Sequence, residues 1–270
     1  MTYDSGCGRW ATERESGKER AARQTQRPGV YITLLGGLGV TGPDGPLRLE
    51  SAKTGALLAY LVLTPGPHAR AKLQGLIWPE LPEERAARNL RHAVWDIRRT
   101  LGACHANVVA ADRTRVAFDP DGAVLVDALA LIETRDALRS DDARTCQPPR
   151  LPVDDLVRGE LLDGVFLTDA PEFEAWLLGE RERLRAVACD VLRGLISLHR
   201  QRGELDVALE RARTLVALDP WREESHRTVM ELLTLAGEPA AALAQLEECR
   251  RILAEQLQTT PTADTVRVSR

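Results

Sequence analysis

Two stretches of this sequence hold residue types at spacings that could do chemistry. Gly37-Leu38-Gly39-Val40-Thr41-Gly42 spells GxGxxG, the loop that wraps a dinucleotide pyrophosphate when a strand leads in and a helix leads out. Further on, Arg85, Arg88, Asn89, His92, Trp95, Arg98 and Arg99 crowd into a single short segment, and these are types that read base edges and hold phosphates. Other chemistry has no foothold. The histidines, at 68, 92, 105, 199 and 226, never form HExxH, no serine sits in GxSxG, and no GxxxxGK[ST] loop exists. The five cysteines are odd in number and never spaced CxxC, so they signal neither a disulfide framework nor a zinc site. No cofactor, metal or catalytic activity is expected.

The glycine stretch fails the test of context. Pro43-Asp44-Gly45 is turn chemistry, and Leu47-Arg48-Leu49-Glu50 alternates apolar and polar as a half-buried strand does. With Val30–Leu35 also strand-like, the region reads as three short antiparallel strands with glycines at the bends. An apolar block, Ala56–Leu63, follows as a buried helix ended by Pro65-Gly66, then a short helix at about 70–78 and a longer one at about 82–101, closed by Gly102.

At 100° per residue the longer helix separates into faces. Ala87, Leu90, Val94, Ile97 and Leu101 form one buried stripe; the opposite face gathers Arg85, Arg88, His92 and Arg99, with Trp95 and Asp96 on its shoulders. Two short strands, Val108–Ala110 and Arg115–Phe118, then flank a turn at Asp112-Arg113-Thr114. Strands, helix, short helix, cationic helix and basic-tipped hairpin, in that order, make a winged helix-turn-helix, whose recognition helix enters the major groove. Arg85, Arg88, Asn89, His92 and Trp95 are the candidates for base edges. Lys53, Lys72, Arg98, Arg99, Arg113 and Arg115 are the candidates for phosphates. The cationic face also has a plainer reading, as a solvated helix face, and Trp95 a plainer role, packing. Trp78, Trp176 and Trp221 read as core.

The chain is 270 residues long and 28% charged, at formal net −4. Residues 1–27 and 28–126 each carry a net +2, and 127–270 a net −8, so only the front half is suited to meet a polyanion. Residues 1–27 read as a disordered leader. No apolar run suits export or a membrane span, which points to the cytoplasm. From residue 127 onward the pattern is helical, broken by the Pro-rich stretch Gln147–Pro152. Gly203 and Gly237 stand 34 residues apart, and the same offset pairs Ala208 with Ala242 and Ala212 with Leu246, the tetratricopeptide period. The fold class is therefore mainly α with a small β component: a winged helix at 28–126, an all-α tetratricopeptide-like domain at 127–257 and a tail at 258–270.

In "LLGGLGVTGPDGPLRL", "ALLAYLVLTPG", "LIWPELPEERAARNLRHAVWDIRRTLG", "VAADRTRVAFDPDG", "GELLDGVFLTDAPEFEAWLLGERERLR" and "GEPAAALAQLEECRRILAEQL", the chain resembles the SARP-type transcriptional activators, in which a PhoB-like winged helix is joined to a bacterial transcriptional activator domain. The resemblance implies binding to double-stranded promoter DNA and recruitment of RNA polymerase, with the helical domain serving that contact or self-association into a homo-oligomer. An adaptor of tetratricopeptide type with a non-functional winged helix is the alternative. Three positions depart from the family pattern. Ala69 and Pro82 stand where Ser or Thr usually caps a helix, a loss of about 1 kcal/mol each that predicts a looser Ala69 end. Ala52 stands where a basic residue is usual.

Overall fold

The computed structural model describes residues 29–102, 108–119, 124–139 and 151–268. The expected leader, and most of the Pro-rich stretch Gln147–Pro152, lie outside them.

β1 (Val30–Thr33) alternates buried and half-buried residues and puts Val30 and Ile32 into the core. Gly36 and Gly37 turn the chain at φ +71° and +116°, values that favour glycine, into β2 (Gly39–Gly42), and Gly45 at φ +128° starts β3 (Gly45–Leu47). The third strand thus lies two residues earlier than the alternation at Leu47–Glu50 indicates. α1 (Ala52–Leu63) begins four residues before its apolar block, because the Ser51 side chain accepts from the Thr54 amide at 3.1 Å and caps a polar first turn. Every residue from Thr54 to Leu63 is buried, which makes α1 the central helix of the core. At Gly55 a Cβ would fall 2.0 Å from a methyl of Leu38, so any larger residue would have to displace that side chain.

β4 (His68–Ala69), α2 (Arg70–Ile77), α3 (Glu83–Gly102), β5 (Val109–Ala111), β6 (Arg115–Phe118) and β7 (Val124–Val126) complete the winged helix. β4 and β5 flank β6 in one antiparallel sheet, while the other sheet runs β3-β2-β1-β7 with β7 parallel to β1. Ala69 has no side-chain cap. Its end is nevertheless held, because Ala69 pairs with Arg115 in the sheet and the Arg70 amide donates to the Thr114 carbonyl at 2.9 Å. The looser Ala69 end expected from the missing cap is corrected by that strand.

α4 (Asp127–Arg139) and the one-turn α5 (Val153–Leu156) precede the 31-residue α6 (Pro171–Gln201). α7 (Leu205–Leu218), α8 (Glu223–Leu235) and α9 (Pro239–Leu257) follow as antiparallel neighbours. The two hairpins of this stack turn at Gly203 and Gly237, both at φ near +80° (75° and 79°), and the small residues Ala208, Ala212 and Ala242 are buried where the helices touch. α6 is the shared wall of two apolar cores: Phe173, Leu177 and Leu184 face the one that also holds the winged helix, and Leu192 and Ile196 face the helical stack. Within the expected tail a further helix, α10 (Ala263–Val268), lies against α8, with Thr262 and Thr265 both donating to Glu223.

Candidate nucleic-acid interface

α3 buries Ala86, Leu90, Ala93, Val94, Ile97 and Leu101, and this wedges it against α1 and α2. Its outward stripe is Arg85, Arg88, His92, Trp95 and Arg99, spaced three and four residues apart so that they stack along one face. Glu83 and Glu84 sit in the first turn, where carboxylates suit the helix dipole.

The two ends of the stripe differ. At the N-terminal end, Arg85 and Arg88 are exposed and, among the described residues, have no carboxylate partner; Asn89 beside them is half-buried. At the C-terminal end the side chains are knitted together. Arg99 donates to Glu50 at 2.9 Å and to Asp96 at 3.3 Å, and His92 lies 3.4 Å from Glu50. The Arg99 guanidinium sits 4.7 Å above the Trp95 ring, which in turn lies 5.7 Å from the His92 ring.

Trp95 is 51% exposed, its ring lying beside Arg99 and His92. One expectation is corrected here. Asp96 is not a shoulder of the cationic face but fully buried, accepting from the Glu50 amide at 2.8 Å and so fixing the loop that carries Glu50 beside Arg99. Glu50 itself is the member that sequence reasoning passes over, since nothing in its alternating strand-like surroundings marks it as a neighbour of residues 92 and 99.

The hairpin is held rigidly against α2 and α3. The Arg98 Nε donates to the Val109 carbonyl and the Arg70 Nε to the Asp112 carbonyl, both at 2.9 Å. At the tip, the Asp112 carboxylate accepts from the amides of Thr114 and Arg115 at 2.6 and 2.7 Å, and those bonds hold its pKa below the usual carboxylate value. Arg113 and Arg115 project from this closed turn, exposed, and neither guanidinium forms a salt bridge among the described residues, though the Arg115 charge acts on the nearby Asp112 carboxylate.

Arg85, Arg88, Asn89, His92 and Trp95 therefore lie on or beside one face of α3, and Arg113 and Arg115 on the wing. Lys72 is exposed on α2, 5.9 Å from the Tyr60 ring. Lys53 stands apart, bound to Glu80 at 2.9 Å and Asp169 at 2.8 Å. In the helical half the pattern is different: Arg139, Arg183, Arg193, Arg211, Arg222 and Arg251 each pair with a nearby Asp or Glu.

Gly36, the residue just ahead of the GxGxxG stretch, serves a seam between the two halves. The Gly36 amide donates to the Glu160 carbonyl and the Leu162 amide to the Leu34 carbonyl, each at 2.8 Å, and Leu35 bridges Leu161 in antiparallel fashion. Gly159 must be glycine because the backbone of Gly36 lies against it: a Cβ on Gly159 would stand 2.9 Å from the Gly36 Cα. At the N-terminus of α4 the buried Asp127 ties the same strand down, accepting from the amides of Leu34, Leu35 and Ala128.

Among the described residues no helix is long and apolar enough to cross a membrane. Residues 156–270 match the family model of the bacterial transcriptional activator domain. No curated protein matches the sequence. The fold is similar to that of Mycobacterium tuberculosis EmbR, solved in complex with a low affinity phosphopeptide, at a TM-score of 0.64 and 19% identity over 90% of this chain. This chain spans 64% of the EmbR chain. The chain thus joins a winged helix to a segment, residues 156–270, that matches the bacterial transcriptional activator domain, in a fold like that of EmbR.

Proposed function

We propose that this chain is a SARP-type transcriptional regulator that binds promoter DNA sequence-specifically, with the stripe of α3 in the major groove and the Arg113–Arg115 wing on the neighbouring backbone, and that it activates transcription. The observation that supports this reading is the placement of uncompensated charge. Arg85, Arg88, Arg113 and Arg115 form no salt bridge among the described residues and gather on one helix face and the hairpin tip, whereas most arginines of the helical half are paired with a carboxylate. A cation without a counterion on a projecting helix or hairpin is suited to displace counterions from a phosphate backbone.

In this reading Arg88 and Asn89 address guanine and adenine edges, and Trp95 offers an apolar face to a thymine methyl. Arg98 and Arg99 brace the hairpin and the Trp95 ring. The winged helix at 28–126 carries recognition, and the helical domain at 127–257 carries contact with RNA polymerase or with a second copy of the chain. The protein acts in the cytoplasm and performs no catalysis.

The test is selection of bound fragments from a random DNA pool, then affinity for the winning duplex and a scrambled one across a salt series. The reading expects a preference of about a thousandfold or more and a steep fall in affinity as salt rises. Substituting Arg88 and His92 together should abolish the preference. Equal, weak binding to all duplexes would hand the chain to the adaptor reading, in which only the helical half is functional.

A further inference from the structure

A cavity of about 320 Å³ lies where the winged helix meets the helical half, walled by Leu35 from the β1 end, Leu131 of α4, Leu156 of α5, Leu161, and Leu184 and Ala188 of α6. The cavity opens to solvent on one side, and its size falls at the lower end of the range that holds small organic ligands. Trp221 stands at its edge. Its pattern reads as core, yet it is 42% exposed, with the Arg185 guanidinium 5.8 Å over its ring.

Four charged residues line the cavity, Glu160, Arg181, Glu182 and Arg185, and of these Arg181 is the most buried. Its side chain is only 17% exposed, and its Nε and Nη2 donate to the carbonyls of Leu161 and Leu162 at 2.9 and 3.1 Å. A guanidinium has five N–H groups, so the others have no partner among the described residues. Its nearest carboxylate, Glu160, is 3.8 Å away and 70% exposed. The remaining acid of the lining, Glu182, is 66% exposed and 3.8 Å from Arg185. Both carboxylates are thus well solvated while the Arg181 cation is not, an imbalance that an anion entering the cavity would correct. The carbonyls that Arg181 grips belong to a strained turn: Leu162, fully buried, holds φ +50°, a conformation a branched residue keeps only when its surroundings impose it.

We infer that this cavity binds a small organic monoanion with an apolar body, a carboxylate on an aliphatic or aromatic frame, its charged group on Arg181 and its body among Leu131, Leu156 and Leu184. Because Leu35 belongs to the winged helix and Leu161 to the loop that bridges it, such a ligand touches both sides of the seam. The inference does not depend on the chain's binding DNA.

Three probes that share a ten-carbon chain test it on the full chain: decanoate, decanol and decyltrimethylammonium, titrated by calorimetry and by tryptophan fluorescence. Decanoate should bind saturably and at least about tenfold more tightly than decanol, with the ammonium weakest. Trp221→Phe should remove the fluorescence response and leave the heat. Arg181→Gln should bring decanoate down to the level of decanol. Should that variant not fold, Ala188→Phe, which fills the cavity with an apolar ring, replaces it and should abolish binding of both probes. No saturable binding, equal affinity for decanoate and decanol in the unsubstituted protein, a decanoate preference that survives Arg181→Gln, or binding undiminished in Ala188→Phe would each overturn the assignment.

Discussion

Lys53, in the first turn of α1, donates at 2.8 Å to Asp169, which lies 116 residues further along the chain just ahead of α6, and at 2.9 Å to Glu80. The ammonium is thereby compensated twice, and a compensated cation has little to offer a phosphate. The Lys53 bond holds the Asp169 carboxyl below its ordinary pKa. The stability this contributes is complete above the ordinary carboxylate value of about 3.9 and is lost as pH falls through the depressed one. Melting between pH 5 and 7 should therefore not register the pair. The DNA experiment should: Glu80→Gln combined with Asp169→Asn leaves Lys53 uncompensated, and the plot of log affinity against log salt should steepen by about one. An unchanged slope would place Lys53 off the path of the DNA.

Trp95 and Arg113 should separate reading from holding. Since Trp95 is half exposed, Trp95→Ala should change folding stability by no more than about 0.5 kcal/mol. On the selected duplex and its single-position variants, it should cost about 1–3 kcal/mol of discrimination at one position. Arg113→Ala should weaken binding to every duplex alike and lower the salt slope by about one. Uniform loss in Trp95→Ala would mean that the ring contacts only sugar and phosphate.

Much of this architecture is legible in the sequence because it rests on local periodicity. The 3-4 spacing of Leu90, Val94, Ile97 and Leu101 places α3's buried face, and the 34-residue offset of Gly203 and Gly237 marks two left-handed turns that only a helical hairpin repeat demands at that distance. What escapes is long-range. Nothing local to Gly36 announces that Gly159 will press against it, and nothing local to Asp96 announces an amide at Glu50. β7, three residues that pair in parallel with β1, is too short to stand out from its surroundings. Trp221 reads as core by the average habit of tryptophan, which says nothing of a particular site.

The seam can be probed through its glycines. Gly159→Ala sets a Cβ 2.9 Å from the Gly36 Cα, where backbone meets backbone and neither yields cheaply, so a loss of about 1–3 kcal/mol is expected in urea denaturation. Gly75 is the control. It lies exposed within α2 with open space where a Cβ would go, and Gly75→Ala should stabilise by about 0.5–1 kcal/mol. Equal effects at the two positions would mean that the seam is not packed as described.

Asp127 gives the seam a pH signature. Its carboxylate is fully buried and accepts from the amides of Leu34, Leu35 and Ala128; Asp127→Ala strands those three donors and should cost at least about 3 kcal/mol. Burial raises its pKa, and the backbone hydrogen bonds offset this only in part. For a carboxyl with a raised folded-state pKa, the stabilising contribution is fully present below the unfolded value of about 3.9 and is lost as pH rises through the folded one. The unsubstituted protein should therefore gain on Asp127→Asn as pH falls from neutral toward about 4, because the amide cannot take up the proton. Urea denaturation of both proteins at several pH values in that window reads the difference directly. A gap that narrows on acidification would mean that the three amides outweigh burial and that the carboxylate sits in this core as the preferred form.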